Sequence, residues 1–374
     1  MHEYKTQLLL ILLIVLLLGL VVQVAYYLLV YLKLALYKTK VQHHEAQPVS
    51  IIVCAKNEFK NLQKYLHLLL EQAYHEYEVV VVNDCSWDDT EILLDEMQKK
   101  YSHLKVVTLK EQERYRHGKK FAVTLGIKAA KHELLLLTDA DCMPSSKNWL
   151  ANMQLHFNKS TEIVLGYGAY RKEGGLLNKL IRFDTMIIAM HYLSHALKQN
   201  AYMGVGRNLA YRKSLFFNSK GFAKHNHVVS GDDDLFVNEN TTTSNTVIEI
   251  QPGSFTVSDS KKTFSEWFAQ KLRHTSSGKY YKARHKLMLF VEPFFTLLFY
   301  VSLVMLFFLG YDARILLAVI SVKLLVQTPV LVMVGSRLRE KDVVWFYPFF
   351  EIIMLFLNSS FTIANLFRKQ KLWK

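Results

Sequence analysis

Cysteine is scarce in this chain: Cys54, Cys85 and Cys142 are the three in 374 residues. They are odd in number and show no C-x-x-C spacing, which excludes a disulfide framework and gives no zinc site. Three small buried thiols are the expectation. Histidine patterns add no metal centre. His191 and His195 of "HYLSH" share a helical face, but the H-E-x-x-H glutamate is missing. His225 and His227 of "KHNHVV" read as an acceptor-side loop rather than a ligand pair. Also lacking are internal repeats, low-complexity tracts and any zinc-finger, recognition-helix or aromatic–basic signature for nucleic acid. The net charge of +14, from 46 basic and 32 acidic residues, fits anionic lipid headgroups and a polyanionic small substrate better than nucleic acid, while positive-inside bias and a solvated surface account for most of the excess.

Charge is missing altogether from residues 8–32, "LLLILLIVLLLGLVVQVAYYLLVYL", long enough to cross a bilayer as a helix. The run exceeds a signal-peptide core and no small-x-small cleavage site follows, so an uncleaved anchor is expected. Lys5 before it is offset by Glu3, whereas Lys33, Lys38 and Lys40 follow it. The positive-inside rule then places the middle of the chain in the cytoplasm. Residues 287–309 and 315–334 read as two more spans, joined by "GYDAR" and followed by the basic loop "SRLREKD". Over 343–367 a re-entrant or interfacial segment broken near Pro348 is expected, because a full crossing would put Arg368, Lys369, Lys371 and Lys374 outside. Glu292, Lys323 and Glu351 lie within apolar segments, where charge is costly. A Glu292–Lys323 pair between adjacent helices and a groove for an acceptor lipid are both open readings. The expected organisation is 1–47 anchor and linker, 48–285 one soluble-type domain, and 286–374 a C-terminal transmembrane or interfacial region of two to three helices.

Between the apolar ends, strands and helices alternate. "VSIIVCA" (49–55), "EVVVVND" (78–84), "LKVVTL" and "ELLLLTD" are short, apolar and suited to buried parallel strands. Between them "EFKNLQKYLHLLLEQ", "TEILLDEMQKKY" and "KKFAVTLGIKAAK" carry helical periodicity. The order β-α-β-α-β-α-β predicts a doubly wound α/β sheet, whose ligands bind at the carboxyl ends of its strands. The chemically suggestive residues fall there: Asn57 and Glu58 after the first strand, Asp84 ending the second, Asp139 and Asp141 ending the fourth.

Asp139 and Asp141 can project to one side of their strand end. Two converging hard carboxylates suit a divalent cation such as Mg²⁺ or Mn²⁺, whereas the plainer alternative has Asp139 capping a turn and Asp141 facing water. Asn57 can read a base edge with Glu58 accepting from a ring NH or ribose, or the pair is only a polar loop. Asp84 can face the same crevice or cap a helix, although Asp88, Asp89 and Thr90 are better placed to cap. "HGKK" (117–120) opens a helix and can hold a phosphate.

The order "CAKNE", "VVNDCSWDDT", "GKKFAVTLGIKAA", "LLLLTDAD" closely resembles the family 2 glycosyltransferases, which have a GT-A fold. The likeness continues through "YMGVGRNLAYRKSLF" (202–216), "SGDDDLF" (230–236) and "QKLRH" (270–274), over about 225 residues in all. Flanking transmembrane helices are similar to those of the membrane-bound branch. The resemblance implies that Ala55, Asn57, Glu58 and Asp84 line a nucleoside pocket, commonly for uridine. It implies that Lys119 approaches the diphosphate or sugar, Asp139 the donor ribose or sugar, and that Asp141 binds the metal. Asp233 would be the base, with Asp232 its rival, and Gln270 and Arg273 would close over the diphosphate. His274 stands where the family's processive polymerases have Trp; it offers a smaller stacking surface to an acceptor. The membrane helices are also few for a processive synthase. A single transfer from a nucleotide-diphospho-sugar to a lipid-linked or glycan acceptor is the expected reaction.

Overall fold

The computed structural model describes residues 2–39, 45–110, 118–228 and 230–367. Lys40, His117 and the cations at 368, 369, 371 and 374 lie outside the described residues. The chain divides into two units: Met1–Tyr37 with Lys282–Ser360, and Lys38–Tyr281 with Phe361–Lys374.

The first unit is helical. α1 (His2–Tyr26) runs through a π-helical turn, Tyr27–Tyr31, into α2 (Leu32–Leu36). α11 (Ala283–Phe308), α12 (Ala313–Arg337), the short α13 (Lys341–Val344) and, up to Ser360, α14 (Tyr347–Phe367) follow later in the chain. Four helices, Glu3–Leu36, Ala283–Phe308, Ala313–Arg337 and Tyr347–Asn365, are long and apolar enough to span a membrane. The last shows no break at Pro348. That residue lies in the first turn, where a missing N–H leaves no helical bond unmade.

Leu12, Leu16 and Leu20 pack with Phe299, Leu306, Leu316 and Val319. Gly19 permits the close approach of α1 to α11, since a Cβ there would lie 3.0 Å from the Phe295 carbonyl and the Phe299 Cβ. The buried Lys323 does not pair with Glu292, the partner that sequence spacing allowed. Its Nζ lies 2.7 Å from Glu351 and donates to Gln327 and Tyr347, each at 2.6 Å. Tyr300 also donates to Glu351, and Tyr31 to Glu292. Helix rotation decides these partners, and hydropathy carries no record of it.

The second unit begins as the alternation predicts. β1 (Val49–Ala55), α3 (Phe59–Leu70), β2 (Tyr77–Asp84), α4 (Thr90–Lys100), β3 (Leu104–Leu109), α5 (Lys119–Ala129) and β4 (Leu134–Asp139) come in that order. Shorter elements follow: β5 (Cys142–Pro144), α6 (Trp149–Gln154), β6 (Ile163–Leu165), β7 (Gly168–Tyr170), the long α7 (Leu176–Leu197), β8 (Leu209–Arg212), α8 (Lys213–Asn218), α9 (Asp234–Asn240), β9 (Thr246–Ile248), β10 (Thr256–Ser258) and α10 (Phe264–Thr275). The main sheet has the order β3-β2-β1-β4-β8-β6-β9, and a small sheet has β5-β10-β7.

β1 is parallel to both β2 and β4, so the chain winds outward in opposite directions from the β1/β4 boundary. Beyond β4 the sheet is mixed, because β8 runs antiparallel to β4 and β6. Side-chain alternation sorts the two faces. Val49, Ile51 and Val53 pack with Leu62, Leu66 and Leu69 of α3 and Leu94 of α4. On the other face α5 lies close to the sheet: a Cβ on Gly126 would be 2.8 Å from Ile52 Cγ2 and 3.0 Å from Val82 Cγ2. This seating brings the N-terminus of α5 to the ends of β1 and β4.

Candidate functional site

The loops after β1 and β2 hold each other. Asn57 and Cys85 adopt left-handed backbone, φ 56° and 53°, a conformation such residues take at a cost. The Asn57 backbone N–H donates to Ser86 Oγ (2.9 Å), and its side-chain oxygen accepts from the Trp87 N–H (3.0 Å). Asp88 accepts from Phe59 N–H at 3.1 Å and from Thr90 N–H at 3.2 Å, tying the start of α4 to the start of α3. Asp84 is left to end β2, fully buried. Ala55 is buried at the end of β1, and Glu58 accepts from Asn61 at 2.6 Å. Burial raises the Glu58 carboxyl from its ordinary value, Asn61 opposes this, and Asp141 and Asp139 add to it.

Asp139 pairs in register with Cys54, on the face that α5 covers. Lys119, the first residue of α5, therefore meets it: Nζ lies 2.9 Å from Asp139 Oδ1 and 3.1 Å from Asp232 Oδ2. One cation thus joins the end of β4 to the loop preceding α9. Burial would lift the Asp139 carboxyl, but Lys119 outweighs it and holds it below the usual carboxylate range. Asp141 is pushed up, by burial and by the negative charge of Asp139.

The three consecutive aspartates have separate partners. Asp232 takes Lys119. Asp233 accepts two backbone N–H groups, from Gly206 (2.7 Å) and Asp234 (2.8 Å), which orient its carboxylate. Burial, then repulsion from Asp232 and Asp234, pushes Asp233 up to about 7. Asp234 is buried against Tyr281 (2.7 Å) and Ser277 and anchors the loop. Cys54, Lys119, Asp139, Gly206, Asp232 and Asp233 line one small cleft.

The helix α10 begins with a Thr263–Glu266 capping box and is fixed by a buried Lys271–Asp184 pair at 2.8 Å. Gln270 reaches the site indirectly, donating to Tyr170 OH at 3.4 Å. The Arg207 guanidinium lies 4.4 Å from the Tyr170 ring centre and donates to Ser258 Oγ (2.8 Å) and the Gly168 carbonyl (2.9 Å). Its charge adds to the lowering at Asp139 and partly offsets the rise at Asp141. His274 is exposed. Among the described residues, the exposed Arg273 forms no ion pair with these carboxylates. Sequence reasoning misses Arg207 and Tyr170. The signal for Arg207 is a cation inside the otherwise apolar "YMGVGRNLAY"; "GYGAY" offers none for Tyr170.

Carboxylate oxygens of Asp139 and Asp141 and the Cys142 sulfur lie within 4.8 Å of one another. Burial pushes the Cys142 thiol well up, which leaves it a neutral neighbour 3.4 Å from Asp141 rather than a thiolate ligand. Two converging oxygen donors, one of them raised by the other, are a set that a hard divalent cation fits.

Known proteins share this sequence pattern and this fold. Residues 50–217 match the family model "Glycosyl transferase family 2". The chain is 31% identical over 102 residues to a poly-beta-1,6-N-acetyl-D-glucosamine synthase of Staphylococcus epidermidis, covering 27% of this chain and 24% of that protein. It is 33% identical over 104 residues to the glycosyltransferase AglE of Haloferax volcanii, covering 27% and 33%. The matches thus span a quarter to a third of these relatives' lengths. Among solved structures, the mannosyltransferase PcManGT of Pyrobaculum calidifontis, in complex with GDP-Man and Mn²⁺, superposes with a TM-score of 0.56 at 18% identity, covering 87% of this chain and 98% of that one. That likeness is one of fold: a GT-A-like α/β domain. Residues 50–217 are thus similar to the family 2 glycosyl transferases, within a GT-A-like fold.

Proposed function

We propose that the protein is a membrane-bound, inverting glycosyltransferase. It moves one sugar from a nucleotide-diphospho-sugar, with uridine as the proposed nucleoside, to a lipid-linked or glycan acceptor. The single observation that carries this reading is Lys119, which bridges Asp139 at the donor strand to Asp232 in the loop that presents Asp233. A donor-binding edge and a proton acceptor are thereby held on either side of one cation.

The roles follow from the chemistry. The pocket formed by Ala55, Asn57, Glu58 and Asp84 would take the nucleoside. Asp141, with Asp139, would hold Mg²⁺ or Mn²⁺, which when bound adds positive charge against the diphosphate. Asp233 suits the base better than Asp232, since Asp232 is neutralised by Lys119 while Asp233 is oriented by backbone N–H groups and has a raised proton affinity. The acceptor hydroxyl oxygen bonds to the sugar C1 as the C1–O(phosphate) bond breaks. Its proton passes to Asp233, and the nucleoside diphosphate leaves with inversion at C1. Lys119 and Arg207 supply fixed positive charge near the departing group, and Arg273 and Gln270 would close over it. The domain at 48–285 would face the cytoplasm, given Lys33 and Lys38 after the first apolar helix.

The test is release of nucleoside diphosphate by purified protein from a panel of UDP- and GDP-sugars with Mn²⁺. Asp141→Asn is expected to raise the Mn²⁺ needed for half-maximal turnover by about 10–100-fold, the scale seen when a metal site is disturbed. An unchanged metal requirement would remove Asp141 from the site. No turnover with any donor would leave a nucleotide-binding scaffold. Long polymeric product would favour the processive alternative over single transfer.

A further inference from the structure

One aromatic cluster beside the base loop is not used by the proposed reaction. His227 is exposed, and its ring centre lies 5.4 Å from that of the half-buried Tyr280, edge to face. His225 lies 5.8 Å from the same tyrosine and 6.4 Å from His227. Polar groups surround the rings. His225 Nε2 is 3.0 Å from Glu239, Lys224 reaches the same carboxylate at 3.0 Å, and the Lys279 ammonium stands 5.0 Å from the Tyr280 ring centre.

The cluster is a built feature. The buried Lys120 donates to the carbonyls of His225 (2.7 Å) and Val228 (3.0 Å), which fixes the loop from the turn of α5 that also carries Lys119. Tyr280 is flanked by Tyr281 and, three residues earlier, Ser277, and both of these bond Asp234. Ser230 and Ser276 close the same join at 3.1 Å. The rings are therefore fastened to the segment that presents Asp232 and Asp233.

We infer that His225, His227 and Tyr280 form a platform for a pyranose ring of the acceptor. Ring faces and edges offer apolar contact to a sugar's C–H faces, and Glu239, Lys224 and the nitrogens of the exposed His227 offer partners to its hydroxyls. The surface is too small and too charged at its margin for a lipid chain. A nucleobase belongs at the ends of β1 and β2 instead. The inference deepens the proposed transfer reaction and rests on it for the word acceptor, but binding to the platform can be measured alone.

Full-length protein in nanodiscs is probed with methyl glycosides of glucose, N-acetylglucosamine and mannose by saturation-transfer NMR. At least one is expected to receive saturation at its ring C–H protons. Tyr280→Ala is expected to weaken that binding by about fivefold, the scale of one lost aromatic contact, and Tyr280→Phe to retain it. Saturation of none of the glycosides, equal binding by Tyr280→Ala, or equal loss in Tyr280→Phe would each overturn the platform. Calorimetry with Mn²⁺–UDP and Mn²⁺–GDP on the same samples reports folding of the variants. Its failure in the wild type would sink the nucleotide-sugar reading while leaving the platform result standing.

Discussion

Asp233→Asn is expected to lower turnover by about 10²–10⁴-fold, the usual contribution of a positioned general base, while leaving donor binding close to wild type. The amide is nearly isosteric, and its oxygen can still accept from Gly206 or Asp234, so the loop keeps its shape. What it cannot do is take a proton. The pH dependence carries the same signature. Burial, with Asp232 and Asp234 alongside, pushes Asp233 up to about 7, and in the proposed reaction only the deprotonated carboxylate would act. Acceptor kcat/KM should therefore rise with pH up to about 7 and fall tenfold per unit below it, where an ordinary aspartate would hold activity down to about pH 4. In Asp233→Asn that acid limb should vanish along with most of the rate. An Asp232→Asn profile that lost the limb while Asp233→Asn kept it would reverse the assignment. Steady-state kinetics over pH 5 to 9 would settle which aspartate acts.

The second large effect is on stability. Lys323→Met is expected to destabilise the helical unit by roughly 3–5 kcal/mol, the cost of breaking a buried ion pair from one side. Two losses set the magnitude. The ammonium's hydrogen bonds to Gln327, one turn along the same helix, and to Tyr347 are one part of it. Glu351 matters more, because it is left as a charge without its cation. Adding Glu351→Gln to Lys323→Met should therefore recover most of the loss, because the orphaned charge is gone. Thermal unfolding in detergent measures both variants. A double variant no more stable than the single one would show that the hydrogen bonds dominate.

Much of the second unit was legible in the sequence, for physical reasons that also explain where legibility stops. β1, β2 and β4 are buried along most of both faces, so their β-branched and leucine runs stand out, and the helices between them need an apolar stripe to cover the sheet. The three-residue strands β5, β6, β7, β9 and β10 have no such pattern, because they exist through pairing with distant partners. The site divides along the same line. Asp84, Asp139 and Asp141 could be placed because strand ends are readable. That Lys119 would reach both Asp139 and Asp232 depends on how α5 sits on the sheet, and Arg207 and Tyr170 meet only through the small second sheet. In the helical unit the costly charges were visible, but the choice of Glu351 over Glu292 as partner of Lys323 depends on rotation about helix axes.

Gly126 connects a missing methyl group to a charge two turns away. It sits seven residues after Lys119, about 10 Å along α5, and its bare Cα is what lets the helix rest against Ile52 and Val82. Any side chain there would have to lift the helix, because neither neighbour is the far end of a flexible chain. The lysine at the helix tip would then move away from both aspartates while every site residue remained in the sequence. The helix behaves as a spacer of fixed height. Its thickness at one glycine is as much a part of the site as the charges it carries, and a transplanted site would need that spacer as well as its residues.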